Sequence, residues 1–213
     1  MNRLLEKSRG LLAKMLDVDE EEMIFTSCGS EANNMAIKGI AFQYQNRGKH
    51  IITTSIEHSS VYETCKELEE VFGFEVTYLD VDAEGRVKLD ELEKAIKDTT
   101  ILISIMFANN EIGTIQPIKE IGEIAKKHNV LFHTDAVQAA GNVPIDVKEL
   151  NVDLMSMSSH KIYGPKGIGA LYIKTGTKLH SFVHGGAQER RRRAGTENMP
   201  SIVGYGKAAE LAK

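Results

Sequence analysis

Two features that often organise a chain are scarce here, and a third is absent. There are only two cysteines, Cys28 and Cys65, in 213 residues, too few for a disulfide framework. A reducing, cytoplasmic setting is the default expectation. No stretch of 18 apolar residues occurs, so no membrane span is expected. The opening MNRLLEKSRGLLAKML carries charge throughout and lacks the apolar core of a signal peptide. Net charge is small, −4, with a pI near 6.0, which removes any global pull toward nucleic acid. Repeats, low-complexity tracts and long linkers are also missing. No GxxxxGK[ST] is present, which excludes a nucleotide P-loop.

What remains is an alternation, in a chain that is 42% apolar and long enough for one substantial core. Residues 2–16 read as an amphipathic helix with Leu4, Leu5, Leu11, Leu12 and Met15 on one side. Strands are predicted at 22–27, 50–55, 75–81, 100–108, 130–135, 153–158 and 169–173. Helices are predicted at 30–46, after a Ser60/Glu63 capping box, over 90–97 with Asp90 and Glu93 at capping positions, from Pro117 to His128, and from Met199 onward. Strands alternating with helices predict a three-layer α/β/α domain on a mostly parallel sheet. Such sheets take ligands at the carboxyl ends of their strands.

Five predicted strands end in chemically capable groups: Cys28-Gly29-Ser30-Glu31, Glu57-His58, Asn109-Asn110-Glu111, Asp135 with Gln138, and Ser158-Ser159-His160-Lys161. Each has an ordinary reading. Ser27 to Ser30 is a helix cap or, with Gly29 letting the backbone approach closely, an anion site. His58 is a turn histidine or an imidazole that stacks on a planar ligand and moves a proton. Asp135 ends an apolar strand and needs a partner there. With His133 it shares a strand face, but no third ligand is evident and no metal is assigned. GPKGIG, 164–169, precedes a strand, so it is no dinucleotide motif. Lys161 is a surface amine or a nucleophile made available by desolvation. Taken together, a lysine, an acidic partner and a phosphate cradle are the parts that pyridoxal 5'-phosphate requires.

FTSCGSEANNMAIKG (25–39), EHSSV (57–61), NNEIGTIQPI (109–118), HTDAVQ (133–138), SSHKIYGPKGIGALYI (158–173) and HGGAQERRRRAGTEN (184–198) resemble, in that order, the motifs of cysteine desulfurases. The similarity is to the NifS/IscS-like branch of the class V aminotransferase superfamily and runs from about residue 15 to the end. It implies the large domain of a fold-type I, aspartate aminotransferase-like enzyme that uses pyridoxal phosphate to convert L-cysteine into alanine and a persulfide. Lys161 would hold the cofactor covalently and move the proton at the substrate α-carbon. His58 would stack on the ring, Asp135 would pair with the ring nitrogen, and Gln138 and Asn110 would bond the ring oxygen and the substrate side. Gly29, Ser30, Ser158 and His160 would hold the phosphate. Thr196 would reach the phosphate of the other subunit of a homodimer, and ERRRR (189–193) is either a solvated basic loop or a stretch beside that shared pocket, with no interleaved aromatics to suggest a nucleic-acid patch. The sulfur acceptor would be a protein such as an iron–sulfur scaffold.

The resemblance also has gaps. In the family the persulfide-forming cysteine, the arginine that clamps the substrate carboxylate and the small domain fall beyond the position of Lys213. The opening segment with its paired threonines is missing too. Residues 1–213 are therefore expected to be the cofactor-binding portion of a longer enzyme. The alternatives are a non-catalytic fragment, another class V aminotransferase or a selenocysteine lyase. Cys28, at a helix N-terminus, and Cys65, within a helix, are not expected to replace the lost thiol.

Overall fold

The computed structural model describes residues 2–212. Helix α1 (Asn2–Leu16) leads into β1 (Met23–Thr26), α2 (Gly29–Tyr44), β2 (His50–Thr54), α3 (Ser59–Phe72), β3 (Glu75–Leu79) and α4 (Leu89–Ala95). Then come β4 (Thr100–Ser104), α5 (Ile118–Lys127), β5 (Leu131–Asp135), β6 (Leu154–Ser158), β7 (Gly169–Ile173) and α6 (Met199–Leu211). The seven strands form one sheet in the order β1-β7-β6-β5-β4-β2-β3. Only β7 runs against the others, pairing antiparallel with β1 and β6.

The period of two along each strand divides the core. Ile24, Ile51, Leu154, Leu171 and Ile173 face α2 and α3, packing on Ala32, Ala36, Ile40, Val61 and Leu68. Their neighbours Met23, Phe25, Ile52, Met155 and Tyr172 face the other way, toward Leu12, Leu16, Leu92, Ile121 and Tyr205 of α1, α4, α5 and α6. Both faces of the sheet are thus covered, which is why its strands read as apolar runs rather than alternating ones. No helix among the described residues is long and apolar enough to cross a membrane.

Several boundaries differ from expectation. The apolar run at 100–108 leaves the sheet after Ser104. Ile105 and Phe107 stay buried because their N–H groups reach the carbonyls of His133 and Asp135 at 3.1 and 2.8 Å. Helix α3 starts one residue before the predicted Ser60 cap: His58 is the cap, and its ring accepts from the Ser60 N–H. Helix α4 begins at Leu89 after Lys88, so Asp90 lies in its first turn rather than at a cap, and Glu93 further in. Pro117 is the residue before α5 rather than its first.

The antiparallel β7 brings a tight junction to the functional edge. A side chain at Gly169 would sit 2.6 Å from the carbonyl carbon of Cys28 and 2.8 Å from the Met157 oxygen. Glycine there lets the α2 entrance rest on the sheet.

Candidate active site

The carboxyl ends of β2, β4, β5 and β6 and the start of α2 surround a cavity of about 210 Å³. It gathers Gly29, Ser30, His58, Asn110, Asp135, Gln138, Ser158, His160 and Lys161 from segments far apart in the chain. Of the residues that the resemblance assigns to the cofactor site, Thr196 alone lies elsewhere. It lines a separate hollow with Ser27, Gly167 and Arg193.

Helix α2 contributes its N-terminus. Cys28 caps it, its sulfur accepting from the Glu31 N–H at 3.4 Å. The amides of Gly29 and Ser30 belong to the first turn, whose N–H groups have no partner within the helix. Gly29 is packed against Val137, where an added carbon would come within 2.7 Å of the valine methyl. Glu31, an anion beside an anion site, is drawn aside. Its carboxylate takes the Ser27 N–H and pairs with Arg193 at 2.7 Å, and these contacts outweigh its burial and hold it below the usual carboxylate range. Opposite, Ser158 Oγ and His160 Nδ1 are 2.8 Å apart. Burial, then the charges of Lys161 and Lys166, keep His160 below its ordinary range.

Asp135 forms the floor. Oδ1 accepts from the Val137 N–H at 2.9 Å and Oδ2 from Asn33 Nδ2 at 2.7 Å. Burial pushes this carboxyl upward, while those two donors and the nearby charges of His58 and Lys161 pull it back. A buried carboxylate ringed by donors is prepared to receive one more cation or N–H. Lys161 stands above it on a short 3-10 turn, Ser159–Ile162, which Tyr163 ends in the left-handed region at φ 64°. The lysine is half-buried, and among the described residues its amine makes neither hydrogen bond nor ion pair. His133 lies beneath, held by Ser104 Oγ at 2.8 Å and Ser156 Oγ at 2.9 Å, and burial drives its pKa down to about 3. It is a satisfied core histidine.

His58 Nδ1 receives the Ser60 N–H at 3.1 Å and lies 2.8 Å from Ser60 Oγ. An acceptor nitrogen carries no proton, so these bonds assign the neutral ring its proton on Nε2. Asn33 is the residue that sequence reasoning missed. Its Nδ2 donates both to Asp135 and to Ser60 Oγ, the latter at 2.8 Å. The signal was present: an amide on the buried face of α2, among Ala32, Ala36, Ile37 and Ile40, four positions after Gly29. Glu57, at the same edge, also matters. Its Oε1 accepts from Thr54 Oγ1 at 2.7 Å and from the Met106 N–H at 2.9 Å, while Oε2 is buried without a partner.

The basic stretch 189–193 is not free in solution. Glu189 bonds Arg9 at 2.7 and 2.9 Å and accepts the Phe25 N–H at 2.7 Å. Arg190 and Arg192 donate to the carbonyls of Glu20 and Glu21.

A sheet covered on both faces, with an amine, a buried carboxylate and a helix N-terminus gathered at its carboxyl edge, defines a three-layer α/β domain. The chain belongs to the aminotransferase class-V family, whose model matches residues 1–213. It is 65% identical over 205 residues to a cysteine desulfurase IscS of Methanosarcina thermophila, covering 96% of this chain and 50% of that protein. Among solved structures it is similar to a NifS-like protein, with a TM-score of 0.96, 48% identity, and coverage of 99% of this chain and 58% of the other. It is also similar to SspA in complex with cysteine, with a TM-score of 0.94, 46% identity, and coverage of 98% and 60%. The chain spans about half the length of the curated relatives it matches.

Proposed function

We propose that residues 1–213 are the cofactor-binding domain of a pyridoxal phosphate-dependent cysteine desulfurase, acting on L-cysteine as part of a homodimer. The observation that carries this reading is the shared cavity: an unpaired Lys161 amine over a buried Asp135 carboxylate, beside the free first-turn amides of a 16-residue helix. The residues present fit the cofactor. Its phosphate has a helix N-terminus with Gly29 and Ser30, plus Ser158 and His160. Its ring nitrogen would have Asp135, and its ring oxygen and the substrate side would have Gln138 and Asn110. Thr196 faces away from this cavity and would serve the partner subunit's phosphate site.

Pyridoxal phosphate, when bound, supplies an aldehyde for covalent capture by an amine and a protonated ring that withdraws electrons from the substrate. The protein residues do the rest. Asn33 and the Val137 amide favour the charged form of Asp135 opposite the ring nitrogen, against the burial that raises it, and a protonated ring nitrogen would add to that support. Lys161, sheltered from bulk water, takes and returns the proton at the substrate α-carbon. His58, with its proton on Nε2, would stack on the ring and assist proton transfer. The substrate sulfur would be attacked by the thiolate of a persulfide-forming cysteine of the full-length protein, leaving the alanine carbon, and would pass from that persulfide to an acceptor protein of the iron–sulfur scaffold type.

Product analysis on the full-length protein tests this. L-cysteine with a thiol reductant should yield alanine and sulfide. A keto acid formed by amino transfer, or turnover of selenocysteine with none of cysteine, would overturn the proposal.

A further inference from the structure

Asn33 is almost fully buried, at 1% exposure, yet it spends both amide hydrogens on two groups of the site. One goes to Asp135 Oδ2 and the other to Ser60 Oγ. Its own Oδ1 is buried with no partner. Turning the amide over would set that oxygen against the Asp135 carboxylate, so the orientation is fixed despite the orphaned carbonyl. A buried polar group left half-satisfied in this way calls for an explanation.

The consequence runs through Ser60. Its oxygen accepts from Asn33, and because the Ser60 backbone N–H already makes His58 Nδ1 an acceptor, the Ser60 hydrogen is the one that faces that nitrogen, 2.8 Å away. Donation therefore runs one way, from Asn33 to Ser60 to His58, and the imidazole proton is left on Nε2.

We propose that Asn33 is a positioning residue that couples the Asp135 carboxylate to the tautomer of His58 through the Ser60 hydroxyl. This rests on the assignment of Asp135 and His58 to the cofactor site. One amide thus orders the group under the ring and the group over it. If Asn33 is replaced by aspartate, one new oxygen accepts from the Ser60 hydroxyl and reverses the direction of donation, while the side facing Asp135 shares a proton with that carboxyl. If it is replaced by alanine, the Ser60 oxygen loses the donor that orients it, and the hydroxyl turns more readily to accept from an Nδ1–H.

The test reads the His58 tautomer by long-range proton–nitrogen NMR on the nitrogen-labelled chain without cofactor, at a pH where the ring is neutral. The wild type should show Nε2–H. Both Asn33→Asp and Asn33→Ala should raise the Nδ1–H fraction severalfold, and neither should do so in a Ser60→Ala background. An unchanged tautomer in either folded variant would overturn the proposal, as would an equal response with and without the Ser60 hydroxyl. Should Asn33→Asp not fold, Asn33→Ala gives the same two outcomes. Because the readout needs no cofactor, it stands apart from the functional reading. A failure to load pyridoxal phosphate would sink that reading and leave the tautomer result intact.

Discussion

Replacing Glu57 by glutamine should change how stability depends on pH, in a direction opposite to the usual acidic residue. The residue is half-buried, and its Oε2 is wholly covered and unpartnered. Burial, outweighing the Met106 and Thr54 donors and helped by the negative charge of Asp135, pushes the carboxyl up to about 8 from an ordinary 4.5. The folded chain therefore keeps a proton that the unfolded chain sheds between those values. A carboxyl raised on folding contributes stability that is full below its unfolded pKa and is lost as pH climbs through the folded one. Between about pH 5.5 and pH 7.5 this loss runs at roughly 1.4 kcal/mol per pH unit, or about 2–2.5 kcal/mol across the window. Glutamine keeps the Oε1 acceptor and carries no such proton.

His133 works the other way. Its depressed pKa gives stability that is full above its ordinary 6.5 and is lost as pH falls toward about 3. The two groups partly cancel in the wild type, so the informative quantity is the difference between wild type and variant. Urea unfolding of both chains at a series of pH values measures it. The stability of Glu57→Gln relative to wild type should rise by about 2 kcal/mol from pH 5.5 to pH 7.5. Curves that stay parallel would refute the reasoning, since they would mean that Glu57 is ionised in the folded chain.

Three further predictions follow from the packing and the cradle. Arg9→Met should cost about 3 kcal/mol by thermal denaturation, because it leaves Glu189 charged and buried with only the Phe25 amide. Gly169→Ala should cost about 1–3 kcal/mol, since the added methyl meets backbone atoms of Cys28 and Met157 that cannot rotate away. Ser158→Ala should leave the fold intact and weaken pyridoxal phosphate binding about tenfold in an absorbance titration, the cost of one hydrogen bond to a charged oxygen.

Much of this architecture was legible because apolar runs and polar strand ends carry the information locally. TILIS, VLFHTD and DLMSMS announced buried strands, and the groups after them announced the edge where ligand chemistry collects. The local signals erred where two caps competed. Ser60 with Glu63 looked like a capping box, but the His58 ring reached the Ser60 amide first. Contacts across the chain were not legible at all. Asn33 meets Asp135 across 102 positions and Arg9 meets Glu189 across 180, and only the folded sheet brings them together. For the same reason the basic stretch 189–193 could be placed near the site but not seen to be pinned to α1 and the α2 entrance.

The account stands on the amine of Lys161 as the covalent holder of pyridoxal phosphate. Borohydride reduction of the cofactor-treated chain, followed by peptide mapping, reads this directly. A single pyridoxyl adduct on the peptide containing Lys161, absent in Lys161→Ala, is the predicted result. An adduct spread over surface lysines, or one that persists at equal yield in the variant, would contradict it.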